Sequence, residues 1–460
     1  MTAIRSRSAA LAFAATLMVA QAPLDAAAQS LADSLVTAYR NSPDLASADA
    51  SLKIASENAV QARSGNRPTV SAALGLDLQY DNFNTLEFPT DVSLTITQAL
   101  YTGGQVENAT AAAETRITAQ EATNKSTEQS VLLGAVTAHE DVLRDAQFVQ
   151  LGIKNLRVLS EQLRAARERF EVGEVTRTDV EQARAAVAAS RSSLAAARGA
   201  LASSREAYLR AVGVRPGDLQ PQPPLPEIPA TIEEAVAIAL VNDPALIAAR
   251  LEREASGFDV RTAIGALLPQ VDLVASASRF DTIRDSADAE ENATIGLNVT
   301  IPFYTGGFNY SNIREAQANV EGDEANIVSA ERTAVENVGT AYASLNVARA
   351  SIEAGKLEVE AAQLAFEGVR EEAKVGARTT LDVLDAEADV ISAESDLVSR
   401  RRDEVVAVYS ILASIGMLTI EHLGLDVGGG AAESYYETVR TRNFGYDVSE
   451  DTVWRKEWRP

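Results

Sequence analysis

The sequence predicts an α+β chain in which four β-strands and two very long helices arise from an internal two-fold repeat. Three observations carry this. Landmarks recur at a nearly constant spacing. Asn41-Ser42-Pro43 and Arg67-Pro68 match Asn242-Asp243-Pro244 and Leu268-Pro269 at an offset of 201, while Tyr101-Thr102-Gly103-Gly104 and Gly173 match Tyr304-Thr305-Gly306-Gly307 and Gly376 at 203. Four runs of roughly ten residues alternate apolar with polar side chains. From Gly104 to Phe170 no Pro or turn cluster interrupts a helical pattern.

The chain has 460 residues, no Cys, two His and a net charge of −24. So acidic a surface excludes a nucleic-acid partner, which needs clustered Lys and Arg. Arg5 and Arg7, an apolar run from Ala9 to Ala20, and Ala26-Ala27-Ala28 read as a signal peptide cut after Ala28, over residues 1–28. The lack of Cys excludes a lipid-bearing N-terminal cysteine and leaves packing or assembly as the source of stability. Beyond the signal, no apolar run is long enough for a transmembrane helix. The remaining organisation reads as repeat 1 over 29–212, a Pro-rich linker over 213–229, repeat 2 over 230–423 and a tail over 424–460. The tail opens with Gly428-Gly429-Gly430 and holds Trp454 and Trp458. It is expected to be flexible or packed on the outside of the helices.

Ser30 to about Arg63 reads as a helix that starts or kinks at Pro43. The period then changes to two. Val70, Ala72, Leu74, Leu76, Leu78 and Tyr80 alternate with polar or small residues, predicting a strand at about 68–80. A second, at about 91–101, carries Val92, Leu94, Ile96 and Leu100 on one face. Repeat 2 predicts strands at about 269–280 and 293–303, with Val271, Leu273, Ala275 and Ala277, then Ile295, Leu297, Val299, Ile301 and Phe303. Each run has the length that crosses a bilayer at a tilt, and Tyr80, Phe83, Phe88, Tyr101, Phe280, Phe303 and Tyr304 lie near strand ends, as an interfacial girdle requires. The same alternation fits a small soluble sheet packed on the helices.

The long helix carries a heptad seam through Val149, Gly152, Leu156, Leu159, Leu163, Ala166 and Phe170, repeated as Ile352, Gly355, Val359, Ala362, Phe366, Val369 and Ala373. After each tip, Val180, Val187, Leu194, Leu201 and Tyr208, and Val383, Val390 and Leu397, recur every seven. A second seam, Leu384, Ile391, Val398, Val405 and Leu412, gives that helix two neighbours, which membership of a ring requires.

Between the helices lie two tight tips, at about 172–177 and 375–380. Val375 and Gly376 read as a helix end. Thr379 with Asp382 reads as a capping box, and Asp382 and Asp385 fall on one helical face. In the first tip the matching pattern is read at Thr178 and Glu181. His139 and His422 stand alone, so no metal site is assigned, and no phosphate loop, nucleophile elbow or zinc signature points to an enzyme. The acidic side chains of the long helices are expected to be solvated.

Four strands in one sheet leave two open edges, which lipid does not tolerate. Several chains must therefore pool strands: two would give eight and three twelve. Helices continuing from each strand would extend the barrel as a helical tube whose mouth is formed by the tips.

From Ser30 to about Leu423 the chain resembles the TolC family of outer-membrane ducts. The resemblance rests on the duplicated Asn-x-Pro start, the doubled Tyr-Thr-Gly-Gly and the tip VGARTTLDVLDA. It implies a homotrimer in the outer membrane, with a twelve-stranded β-barrel continued by a periplasmic α-helical barrel. It also implies a periplasmic adaptor and an inner-membrane pump or ATP-driven exporter as partners; drug efflux and type I protein secretion both fit. Residue by residue, Asp382 and Asp385 match a selectivity ring at the periplasmic entrance. Arg378 matches a latch residue, with Thr178 and Asp179 as its partners on the neighbouring hairpin. Val172, Gly173, Val375 and Gly376 match adaptor-docking tips. Ala373 stands where TolC itself has a latch tyrosine, which removes one latch bond. The alternative from the residues is a periplasmic coiled-coil scaffold or adaptor with a small soluble sheet.

Overall fold

The computed structural model describes residues 29–80, 86–221, 224–282, 289–427 and 435–445. The expected signal peptide, Phe83, part of the Pro-rich linker and both Trp residues lie outside them. The first half runs α1 (Leu31–Asn41), α2 (Pro43–Ser64), β1 (Thr69–Leu76), β2 (Gln79–Tyr80), β3 (Leu86–Glu87), β4 (Pro89–Tyr101), α3 (Gln105–Glu171) and α4 (Arg177–Val212). The second runs α5 (Ile232–Asn242), α6 (Pro244–Gly265), β5 (Gln270–Thr282), β6 (Glu290–Thr300), α7 (Phe308–Lys374) and α8 (Thr380–Ser414), and a short α9 (Tyr435–Val439) follows.

The expected first helix is two. Ser42 breaks it with an extended backbone, and its hydroxyl accepts from Leu45 N at 3.3 Å, so α2 starts with Pro43 at its first position. Pro suits that position because its missing N–H has no helical partner there. Asp243 does the same for α6, accepting from Ala245 N and Leu246 N at 2.8 and 3.0 Å. The long helix is continuous: α3 and α7 each hold 67 residues, on the order of 100 Å at 1.5 Å per residue. Isolated, such a polar helix would be marginal, so its stability comes from packing.

The helices pack across the two halves. α3 touches α4, α2 and α1 of its own half and α6 and α8 of the other. The main core lies between them, around Leu31, Leu35, Leu132, Val136, Tyr208, Leu345, Ile411, Leu412 and Ile415. A second small cluster, Leu159, Val187 and Leu384, ties α3, α4 and α8 together nearer the tips. The α4 seam faces inward, with Val187, Leu194 and Tyr208 buried. Gly152 is in the α3 seam because a Cβ there would lie 3.2 Å from Leu194 Cδ1. His139 is fully buried in the core, where Ser34 Oγ lies 3.0 Å from its Nδ1 and 2.8 Å from Tyr208 Oη.

The sheet order is β1-β4-β5-β6, antiparallel throughout, with β4–β5 joining the halves. Register places Val70 opposite Ile96, Leu74 opposite Val92, and Leu273 opposite Leu297, so the apolar residues share one face. On the other face Ser276 and Thr294 bond through their hydroxyls at 2.7 Å. The helices do not cover the apolar face: Val70, Leu74, Ile295 and Leu297 are 65, 77, 75 and 65 % exposed. Its row ends at Arg279, which pairs with Glu291 of β6 at 3.0 Å. The first predicted strand is interrupted: β1 ends at Leu76, and Gln79–Tyr80 continues as a separate ribbon with Leu86–Glu87. The last predicted strand ends at Thr300 rather than at 303.

Candidate functional site

The tips at the far end of the helical hairpins carry the candidate residues. Both close in one way. Val172 and Val375 sit near φ −95° and hand over to Gly173 and Gly376, each at φ +79°. Gly173 N donates to Phe170 O at 3.0 Å, and Gly376 N to Ala373 O at 3.2 Å, satisfying carbonyls that the helix end would leave unpaired. No atom lies within 4 Å of where a Cβ would stand at either glycine, so the left-handed backbone alone requires Gly there. The preceding valines point outward, 71 % exposed at Val172 and 81 % at Val375.

Each tip then starts a helix with a capping box. Thr379 N donates to Asp382 Oδ2 at 2.9 Å, and Asp382 N donates to Thr379 Oγ1 at 3.2 Å. In the first tip the box is Thr176 with Asp179, at 2.8 and 3.3 Å, and not Thr178 with Glu181. The reason is register: the 203-residue offset carries Thr379 and Asp382 onto Thr176 and Asp179, two positions before the expected pair. Thr178 is exposed within the first turn of α4, and Glu181 pairs with Arg184 at 3.6 Å.

The Thr379 bonds, backbone first and then hydroxyl, hold the Asp382 carboxylate below the usual range, with help from Arg378. Asp382 therefore stays charged to lower pH than a free carboxylate. Asp385 is exposed one turn further along α8. Arg378 is engaged within its own hairpin: its Nε donates to Glu372 Oε2 at 2.8 Å, which raises the guanidinium's pKa. Glu372 is a partner that sequence reasoning missed. Its signal was position, six residues back across the turn, where the hairpin brings the two together.

Not every acidic side chain of the long helices is solvated. Glu387, two residues past Asp385, is buried, and its Oε2 has no hydrogen-bond partner among the described residues. Burial pushes its pKa up to about 7, partly offset by Lys154. Glu140 behaves alike, raised to about 7 by burial against the pull of Arg402. Asp145 is buried too, but paired, with Arg144 Nε at 2.8 Å and the Ser204 hydroxyl. A helix exposed in isolation loses that exposure once neighbours close around it, and periodicity alone does not reveal which acidic positions those neighbours cover.

A four-stranded sheet with a bare apolar face, set on long helical hairpins with capped tips, has close counterparts among known proteins. The model of outer membrane efflux proteins matches residues 34–214 and again 235–417. The chain belongs to that family. The outer membrane efflux protein BepC of Brucella suis biovar 1 is 36 % identical over 439 residues, covering 95 % of this chain and 96 % of its own. The outer membrane protein TolC of Escherichia coli K12 is 27 % identical over 426 residues, covering 86 % and 84 %. Two solved structures carry the same fold. CusC superposes with a TM-score of 0.75 at 18 % identity over 85 % of this chain and 92 % of that one. VceC of Vibrio cholerae gives 0.72 at 20 % identity, over 84 % and 96 %. The chain is thus an outer-membrane protein of the efflux-channel family. The helical hairpins are its large periplasmic part.

Proposed function

We propose that three copies of the chain close their sheets into one twelve-stranded barrel, continued by a tube of helices that serves as an exit duct. The observation that carries this is the sheet itself. β1 and β6 are its two edges, and an open edge in hydrocarbon leaves backbone groups unpaired at several kcal/mol each. Pairing β6 of one copy with β1 of the next removes every edge. The bare apolar face then has lipid to meet, which sets aside a soluble scaffold with a small sheet.

In this assembly the tips gather at the periplasmic mouth. Asp382 and Asp385 from each copy form an acidic ring that favours cations. Arg378 spans to Thr178 and Asp179 of the adjacent hairpin in the closed state, in competition with Glu372, while Ala373 contributes no latch hydrogen bond. Val172, Gly173, Val375 and Gly376 offer the exposed surface on which a periplasmic adaptor docks, and an inner-membrane pump or ATP-driven exporter feeds the duct. The chain carries out transport without catalysis. The test is assembly: the protein without residues 1–28, purified in detergent, is expected to scatter light as a trimer. A soluble monomer that needs no detergent overturns the reading.

A further inference from the structure

The hairpin helices lie in a row, α4-α3-α8-α7, with α4 and α7 at its ends. The row runs the same way as the sheet, since α3 follows β4 and α7 follows β6. Closing β6 onto β1 of the next copy therefore brings α7 of one chain against α4 of the next. The internal repeat identifies the faces that meet. Within the chain α8 packs on α3: Leu384 shares a cluster with Leu159, and Glu394 pairs with Lys154 at 3.2 Å. The 203-residue offset relates α3 to α7 and α4 to α8, so that Lys154 corresponds to Leu357 and Glu394 to Arg191. The α3–α8 contact thus has a counterpart, α7 on α4, that a single chain leaves open.

The open face of α4 carries a line of arginines. Arg184, Arg191 and Arg198 recur every seven residues, and all are exposed. Arg191 and Arg198 have no partner among the described residues, and Arg184 has only Glu181 at 3.6 Å. Ala188, Ala195 and Ala202 lie between them, also exposed. In a chain of net charge −24 this is a cationic line set among small side chains. The open face of α7 is its complement. Glu353, Glu360 and Glu367 recur every seven residues and are exposed. Glu360 and Glu367 have no partner among the described residues, and Glu353 has Lys356 at 2.6 Å. Leu357 and Leu364 lie between the acids, 68 and 63 % exposed. The levels match as well as the charges. Counted equally from the two tips, from Arg177 along α4 and from Lys374 along α7, Arg184 stands level with Glu367, Arg191 with Glu360 and Arg198 with Glu353. Ala188 and Ala195 fall within one residue of Leu364 and Leu357. One heptad to either side the match ends, at Arg177 with Lys374 and at Arg205 with Asn346.

We propose that α4 and α7 form the seam between neighbouring copies in the helical tube. A ladder of three ion pairs, Arg184–Glu367, Arg191–Glu360 and Arg198–Glu353, holds it, with rungs about 10 Å apart at 1.5 Å per residue. Leu357 and Leu364 of one copy seat on Ala195 and Ala188 of the next. The ladder lets an acidic chain close on itself, because each copy sets its one cationic line against the acidic line of its neighbour. The proposal rests on the three-copy duct and specifies which helix faces join it.

The chain has no Cys, so an introduced pair reports without background. The full chain carrying A195C/L357C is oxidised in detergent with copper phenanthroline and run on a non-reducing gel. Linked dimers and trimers are expected. S193C/L357C, with its first thiol on the opposite flank of α4, should stay unlinked. Added to A195C/L357C, R191E should slow linking about fivefold, as should E360R, and the two together should restore it. Light scattering on the same samples separates this proposal from the duct. A trimer in which A195C/L357C does not link overturns the seam and leaves the duct standing, whereas a monomer removes both. Linking that R191E leaves unchanged, or that E360R fails to restore, overturns the ladder.

Discussion

Replacing Glu387 by Gln should abolish a pH dependence that the parent carries in its helical part. Glu387 is only 5 % exposed, and its Oε2 meets no donor among the described residues. Burial raises its pKa from 4.5 to about 7, while Lys154, whose charge pulls it back, is held by Glu394 at 3.2 Å. A raised carboxyl is protonated in the folded chain and ionised in the unfolded one between these two values. Stability from this group is therefore complete below about pH 4.5 and drains away as pH rises through 7. At about 1.4 kcal/mol per pKa unit, the loss is up to roughly 3 kcal/mol. Gln keeps the shape and has no charge to desolvate. Denaturant unfolding in detergent, followed by circular dichroism at pH 4.5, 6 and 8, measures the difference between variant and parent. The variant should gain up to about 3 kcal/mol on the parent between pH 4.5 and 8. Glu140 adds a slope of the same sign. His139, whose pKa burial lowers to about 4, adds the opposite one, losing stability as pH falls from 6.5. The difference between two proteins that share those groups cancels both. A variant–parent difference that is the same at all three pH values refutes the reasoning.

The acidic ring predicts that a trivalent cation such as hexamminecobalt blocks the open channel from the periplasmic side, and that D382A/D385A abolishes block while the trimer persists; planar-bilayer conductance reads both. Because Thr379 holds Asp382 low, block should survive moderate acidification and weaken only below the ordinary carboxylate range. Arg378→Ser should raise the open fraction in the same bilayers. Glu372→Gln should lower it by freeing Arg378 for the neighbouring hairpin, and an unchanged open fraction in both variants removes Arg378 from the latch. Gly376→Ala, forced to keep φ +79°, should cost about 1 kcal/mol of local stability. Faster hydrogen exchange at position 376 and at Ala377 would show it, and unchanged protection would mean the tip tolerates a side chain.

By itself the sequence determined the element types and most of their positions. Period-two alternation named the apolar face of the sheet, because a strand alternates its sides whatever it pairs with. Pro43, Gly173, Gly376 and the Thr379–Asp382 box marked helix ends, since these signals act within one turn of backbone. Where local reading failed, it failed by register, as at Thr178 and Glu181, and the offset of the repeat already held the answer in Thr176 and Asp179. Only the tertiary structure decided what depends on distant neighbours. Strand order put β4 against β5 and left β1 and β6 as the edges. The turn at the tip gave Arg378 a partner in Glu372. Packing of α8 against α3 and α7 enclosed Glu387 at a position that periodicity cannot distinguish from the exposed Asp385. Likewise, only the tertiary structure showed that Tyr435 and Tyr436 lie against α2 and α3, because no local pattern around them encodes which helix they meet.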